Sequence, residues 1–114
     1  MKHQAAGNYL FTHRKQSGLY LREVGKLIDY RNCGQISRHE RSKAIPPLRT
    51  AFAYEVMFRV PLSQIFVGLY ASIEEDIEDK LSELEAELGN RSASDRDANL
   101  TFQKLVWLNK RKSG

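Results

Sequence analysis

An all-α fold is predicted for this 114-residue chain, and three observations predict it. Apolar residues recur at spacings of three and four through most of residues 5–88. Strand-like alternation is missing, as is any hairpin signal of the Asn-Gly kind. Gly18, the Pro46–Pro47 pair and Pro61 punctuate the periodic segments where helices are expected to stop and start.

The first helix, about Ala6–Ser17, stops at Gly18, a natural residue to follow a helix in the left-handed conformation. The second runs from about Leu21 to Ile28, with Leu21, Val24, Leu27 and Ile28 at helical spacing. Gly25 sits inside it, where glycine costs roughly 1 kcal/mol against alanine. A close helix–helix contact at Gly25 would compensate. The stretch DYRNCG holds a turn. A third helix starts at Asn32 or Cys33 and ends near Arg41, and Asn32 is able to cap it. Pro46 pushes Ile45 out of the α region and ends it. Pro47 suits the first turn of a fourth helix, about Pro47–Phe58. RVP resets the chain, and a long fifth helix is expected from Pro61 or Leu62 to about Leu88. After Gly89, NRSASDRDAN reads as a linker. LTFQKLVWLNKRK then reads as a short C-terminal helix, with Asn99 as its cap and Leu100, Leu105, Trp107 and Leu108 as packing residues. Residues 1–70 are therefore expected to form one helical domain, and residues 71–114 a helical extension and tail.

Composition narrows the function classes. No apolar run reaches the roughly 18 residues of a membrane span. The N-terminal MKHQAAGNYLFTHRKQ lacks the apolar core of a signal peptide. Cys33 is the only cysteine, which leaves no internal disulfide and fits a reducing cytoplasm. One Cys with the dispersed His3, His13 and His39 gives no zinc-ligand spacing, so no metal and no cofactor are expected. The net charge of +4 conceals a segregation. Residues 1–70 hold eleven Lys/Arg against four Asp/Glu, and residues 71–100 hold three against ten. The basic first block is the signature of a polyanion binder. The acidic run around Glu74–Asp79 lies on an exposed helix and reads as a solvated face. With no phosphate-cradling loop and no nucleophile motif, an enzyme is not expected.

The stretch GQISRHERSKAIPPLRTA carries the strongest signal. Two short helices joined by a turn, the second polar and basic, are the parts of a helix-turn-helix. A helix lying in the DNA major groove needs a buried anchor, here Ile36. It also needs hydrogen-bonding side chains for base edges and flanking cations for phosphates. The segment Leu10–Phe66 resembles the Cro/C1-type (XRE) helix-turn-helix family. LFTHR…GL resembles that family's first helix, REVGKLI its second with Gly25 at the small-residue position, and QISRHERSK its third. PPL and VPLSQIF resemble the starts of its fourth and fifth. Some residues depart from the pattern. The DYRNCGQ turn is one residue longer than the family's usual connection, Gly34 is unusual for a base reader, Ser42 stands where the family usually has Gly, and His13 and His39 stand where apolar residues are common. Both His residues are read as partly buried packing residues.

The resemblance implies a five-helix lambda-repressor-like DNA-binding domain, here with an extended fifth helix and a short C-terminal helix. Gln35, Ser37 and Arg38 are then expected at base edges, with Asn32 or Cys33 beside them. Arg41 and Lys43 would bind phosphates, assisted by Arg31 and Arg22. The resemblance also implies an internal pair between Arg14 and Glu40. A symmetric dimer on a two-fold operator is expected, because one recognition helix spans too few base pairs to define a site. Phe66, Tyr70, Ile73, Ile77, Leu81, Leu84 and Leu88 recur at intervals of 4, 3, 4, 4, 3 and 4, close to a heptad stripe. Ile73, Ile77, Leu81, Leu84 and Leu88 are thus the expected dimer seam, with cover by the tail of the same chain as the alternative. The expected function is a cytoplasmic, sequence-specific double-stranded DNA-binding transcriptional regulator acting by occupying an operator. The alternative is an antitoxin-like protein whose main task is to bind a protein partner.

Overall fold

Asn8 sets where the first helix begins: its Oδ1 accepts the Leu10 N–H at 2.9 Å, and α1 runs Leu10–Ser17. The computed structural model describes residues 7–90 and 97–113, and among these every regular element is a helix. The first helix is therefore shorter than the expected 6–17, since residues 7–9 are not helical and Ala6 lies outside the described residues. After Gly18, at φ 79°, the chain enters α2 (Leu21–Leu27), whose Glu23 carboxylate accepts the Tyr20 N–H. Next come α3 (Cys33–Glu40), α4 (Leu48–Phe58) following Pro47, and α5 (Leu62–Ile65) following Pro61.

The expected long fifth helix is two helices. α5 ends at Ile65, Phe66 departs from helical geometry at ψ 57°, and α6 starts at Val67 and runs to Gly89. The cause is non-local. The Ile65 carbonyl, which an unbroken helix would offer to Leu69, accepts the Tyr9 N–H at 2.8 Å instead. The last helix, α7 (Ala98–Ser113), is longer than expected, and its first turn is closed by Thr101 N–H donating to the Asp97 carbonyl. Asn99 thus lies within the helix rather than capping it. Most of the predicted linker, residues 91–96, lies outside the described residues. No described helix is long and apolar enough to cross a membrane.

The chain divides into two compact units, Met1–Ser72 and Ile73–Gly114. The core of the first is Leu10, Val24, Ile36, Tyr54 and Ile65, one residue from each of its first five helices. Leu19, Leu21, Tyr30, Met57 and Phe66 pack around it. Gly25 earns its place in α2, because a Cβ there would stand 3.3 Å from the Tyr30 carbonyl oxygen and 3.6 Å from Ile36 Cδ1. In the second unit, Arg111 bonds Glu78 at 2.7 Å and Lys112 bonds Glu85 at 2.8 Å, joining the last turn of α7 to α6. The carboxyl of Glu78 is held below its usual value by that hydrogen bond. Leu88 and Leu108 are buried there, and Leu81 and Leu84 are half-buried. Leu88 therefore leaves the expected dimer seam: its own unit covers it. Ile73 and Ile77 stay open.

Candidate nucleic-acid interface

Helix α3 is held on the first unit by two residues one turn apart. Ile36 is fully buried, and His39 is 2% exposed. His39 Nδ1 meets the Tyr54 hydroxyl at 2.7 Å, tying α3 to α4. Burial, and then the neighbouring Arg38 charge, lowers the His39 pKa; burial, then Tyr30 and Glu40, raises that of Tyr54. Beside them Tyr30 Oη and Thr50 Oγ1 share a hydrogen bond of 2.8 Å, which fixes the turn before α3 to α4. Described buried side-chain polar atoms all have partners.

Arg14 and Glu40 complete the hold. Arg14 Nε lies 2.6 Å from Glu40 Oε2, Nη2 lies 3.2 Å from Oε1, and Nη1 donates to the Leu19 carbonyl. The two side chains retain only 11% and 6% of their exposure. A two-pronged ion pair in this setting fixes orientation as well as distance. It joins α1, the end of α3 and the entry to α2.

With Ile36 and His39 turned inward, Gln35 and Arg38 are exposed on the opposite face of α3. Ser37 is half-buried on the flank, and its carbonyl accepts the Arg41 N–H. Arg31 stands exposed before the helix, and Arg41 and Lys43 stand exposed after it. Arg22 is exposed at the start of α2, its guanidinium 4.7 Å above the Tyr20 ring. Gln35, Arg38 and Arg41 thus follow one another at a helical spacing of three, all exposed, with the exposed Arg31 just before the helix.

Two expected readers are placed differently. Asn32 Oδ1 accepts the Gly34 N–H at 2.8 Å, so its acceptor is used to cap α3. Cys33 is half-buried, with Sγ 3.6 Å from where a Gly25 Cβ would stand, so it turns toward α2 rather than outward. Gly34 also finds a reason: a Cβ there would come within 2.9 Å of the capping Asn32 Oδ1. His13 is half-buried and stacks on Phe58.

Asn8 was missed from the sequence. Its Nδ2 donates to the His39 carbonyl and to Ser42 Oγ, each at 3.0 Å, clamping the end of α3 to the start of α1. An Asn two residues before a helix carries a capping signal; its second tie, 31 residues away, has no local trace. An open groove of about 770 Å³ lies between the end of α2 and α4, with Leu27, Leu48, Phe52 and Val56 exposed along it. Arg49 and Asp29 are its only charged lining residues, and none of the expected site residues line it. Among the described residues no cluster of His, Cys, Asp and Glu could hold a metal ion. No model of a known protein family matches the chain, and no curated protein or solved structure matches it either.

Proposed function

We propose that the first unit is a lambda-repressor-like helix-turn-helix domain that binds double-stranded DNA in a sequence-specific way, with α3 in the major groove. The chain would act in the cytoplasm as a transcriptional regulator by occupying an operator, without enzymatic activity. The observation that carries this reading is the two-faced α3. Ile36, His39 and Glu40 hold it from within, while Gln35 and Arg38 stand free outside between the cations Arg31, Arg41 and Lys43. Glutamine suits a two-bond contact with adenine, and arginine one with guanine. Ser42, at the position where the family usually has Gly, takes the left-handed φ of 59° that glycine adopts readily. That conformation supports the resemblance.

The test is genomic selection of bound fragments with purified protein, followed by Arg38→Ala. The parent protein should enrich a defined site. Arg38→Ala should cost about 1–3 kcal/mol and relax preference at one base pair. Equal weakening on every sequence would move Arg38 to the phosphate-binding set, and no enrichment at low salt would end the proposal.

The groove with exposed Leu27, Leu48, Phe52 and Val56 favours a second reading, in which the chain is antitoxin-like and chiefly binds a protein. Copurification with one small partner protein in constant ratio would raise it above the first.

A further inference from the structure

The first unit leaves large apolar side chains open round a single concavity. Leu48, Phe52 and Val56 succeed one another four residues apart on α4 and are 69%, 51% and 72% exposed. Leu27, 61% exposed, lines the same groove of about 770 Å³ from the end of α2. Single exposed apolar residues are ordinary, but a group of them round one groove marks a binding surface. Every lining residue belongs to the first unit.

Size selects a small molecule. Pockets that hold small ligands measure about 300–1,000 Å³. A stable protein interface takes about 20–30 residues from each side, and eleven line this groove. The half-buried Ile28, Ala53 and Met57 continue the apolar lining, which suits an apolar or aromatic body. Tyr30 and Thr50 line it too, but their hydroxyls bond each other at 2.8 Å and ask nothing of a ligand.

Charge selects an anion. At about 100° per residue, Arg49 falls between Val56 and Ala53 round α4, on the face that lines the groove. It forms no ion pair among the described residues. Asp29, the other charged lining residue, is unpaired as well, but Lys26 and Arg31 flank it in sequence. With eleven Lys/Arg against four Asp/Glu in residues 1–70, the summed field draws an anion and repels a cation.

We propose that this groove binds a small amphipathic anion, its carboxylate on Arg49 and its apolar or aromatic body against Leu27, Phe52 and Val56. The site goes beyond the DNA-binding reading and does not depend on it, and it gives the groove a different occupant from the protein of the second reading. The test is calorimetric titration of the full chain, without DNA, with three probes of one shape: 2-naphthoate, 2-naphthylmethanol and 2-naphthylmethylammonium. Naphthoate should bind one per chain with a dissociation constant of about 1 mM or tighter, the alcohol more weakly and the ammonium weakest. Arg49→Gln should weaken naphthoate about tenfold, the loss of one charge-assisted hydrogen bond, and leave the alcohol unchanged. Val56→Asp should weaken both. Amide shifts in magnetic resonance should locate naphthoate at residues 27–30 and 48–57 of the parent. Should either variant lose helix by circular dichroism, the order of the three probes and those shifts decide. No binding of naphthoate at several times that concentration, an ammonium probe that binds as tightly, a folded Arg49→Gln without effect, or shifts confined to α6 and α7 would each overturn the proposal.

Discussion

Buried polar side chains of the first unit come in partnered sets, and the partner decides what each substitution costs. Glu40 faces Arg14 with almost no water, so removing it strands a buried guanidinium. Glu40→Ala should lower stability by about 3–5 kcal/mol in urea denaturation, and a change under about 0.5 kcal/mol would mean the pair is solvent-screened. His39 is the neutral counterpart. Burial, aided by Arg38, lowers its pKa below the 6.5 it has when exposed. The unfolded chain therefore takes up a proton near pH 6.5 that the folded one resists. Stability from this group is complete above that pH and is lost as pH falls toward the depressed value. Between pH 7.5 and 5.5 the parent should lose more stability than His39→Gln; equal losses would exonerate His39. These sets were unequally legible. Arg14 and Glu40 followed from resemblance, and so did the packing role of His39, but nothing in the sequence told that His39 meets Tyr54. Partners separated by 15 residues leave no pattern that a local reading can detect.

Each helix boundary records a contest between local preference and a distant tie. Gly25 is a poor helix former locally, yet Gly25→Ala should destabilise. Its added Cβ meets the Tyr30 carbonyl, backbone that cannot swing aside as a side-chain tip can. Overpacking of this kind costs about 1–3 kcal/mol, against the roughly 1 kcal/mol gained in helix propensity. A rise in melting temperature would refute the close approach of α2 to the turn. Arg59 poses the opposite case, ending α4 at φ 59°. Arg59→Gly should stabilise by about 1 kcal/mol, since a left-handed residue with a Cβ costs about that much. Ser42 shares the conformation but also receives the Asn8 amide, so its replacement would gain less. Helices α2 to α4 were readable because their caps and stops, Asn32, Pro47 and Gly18, are neighbours in sequence. The break at Phe66 was not, because apolar spacing runs through it unbroken and Tyr9 imposes it from 56 residues away.

At the scale of the whole molecule, charge is divided between two units rather than spread. The overall +4 says little; eleven Lys/Arg against four Asp/Glu in residues 1–70 says more. The four cations of α7 belong to a unit whose α6 is strongly acidic, and two of them, Arg111 and Lys112, already bond Glu78 and Glu85. If DNA meets the first unit alone, only its cations release counterions from the phosphates. Neutralising Arg41 or Lys43 should then reduce the slope of log affinity against log salt by roughly one unit each, leaving base preference intact. Neutralising Lys104 or Lys110 should leave the slope alone, even though both are exposed and equally charged. The measurement is a salt titration of binding for the parent and the four single alanine variants. A slope that moves with Lys110 as much as with Arg41 would show that the DNA path runs over both units, and an unmoved slope at both Arg41 and Lys43 would take the phosphates away from the end of α3.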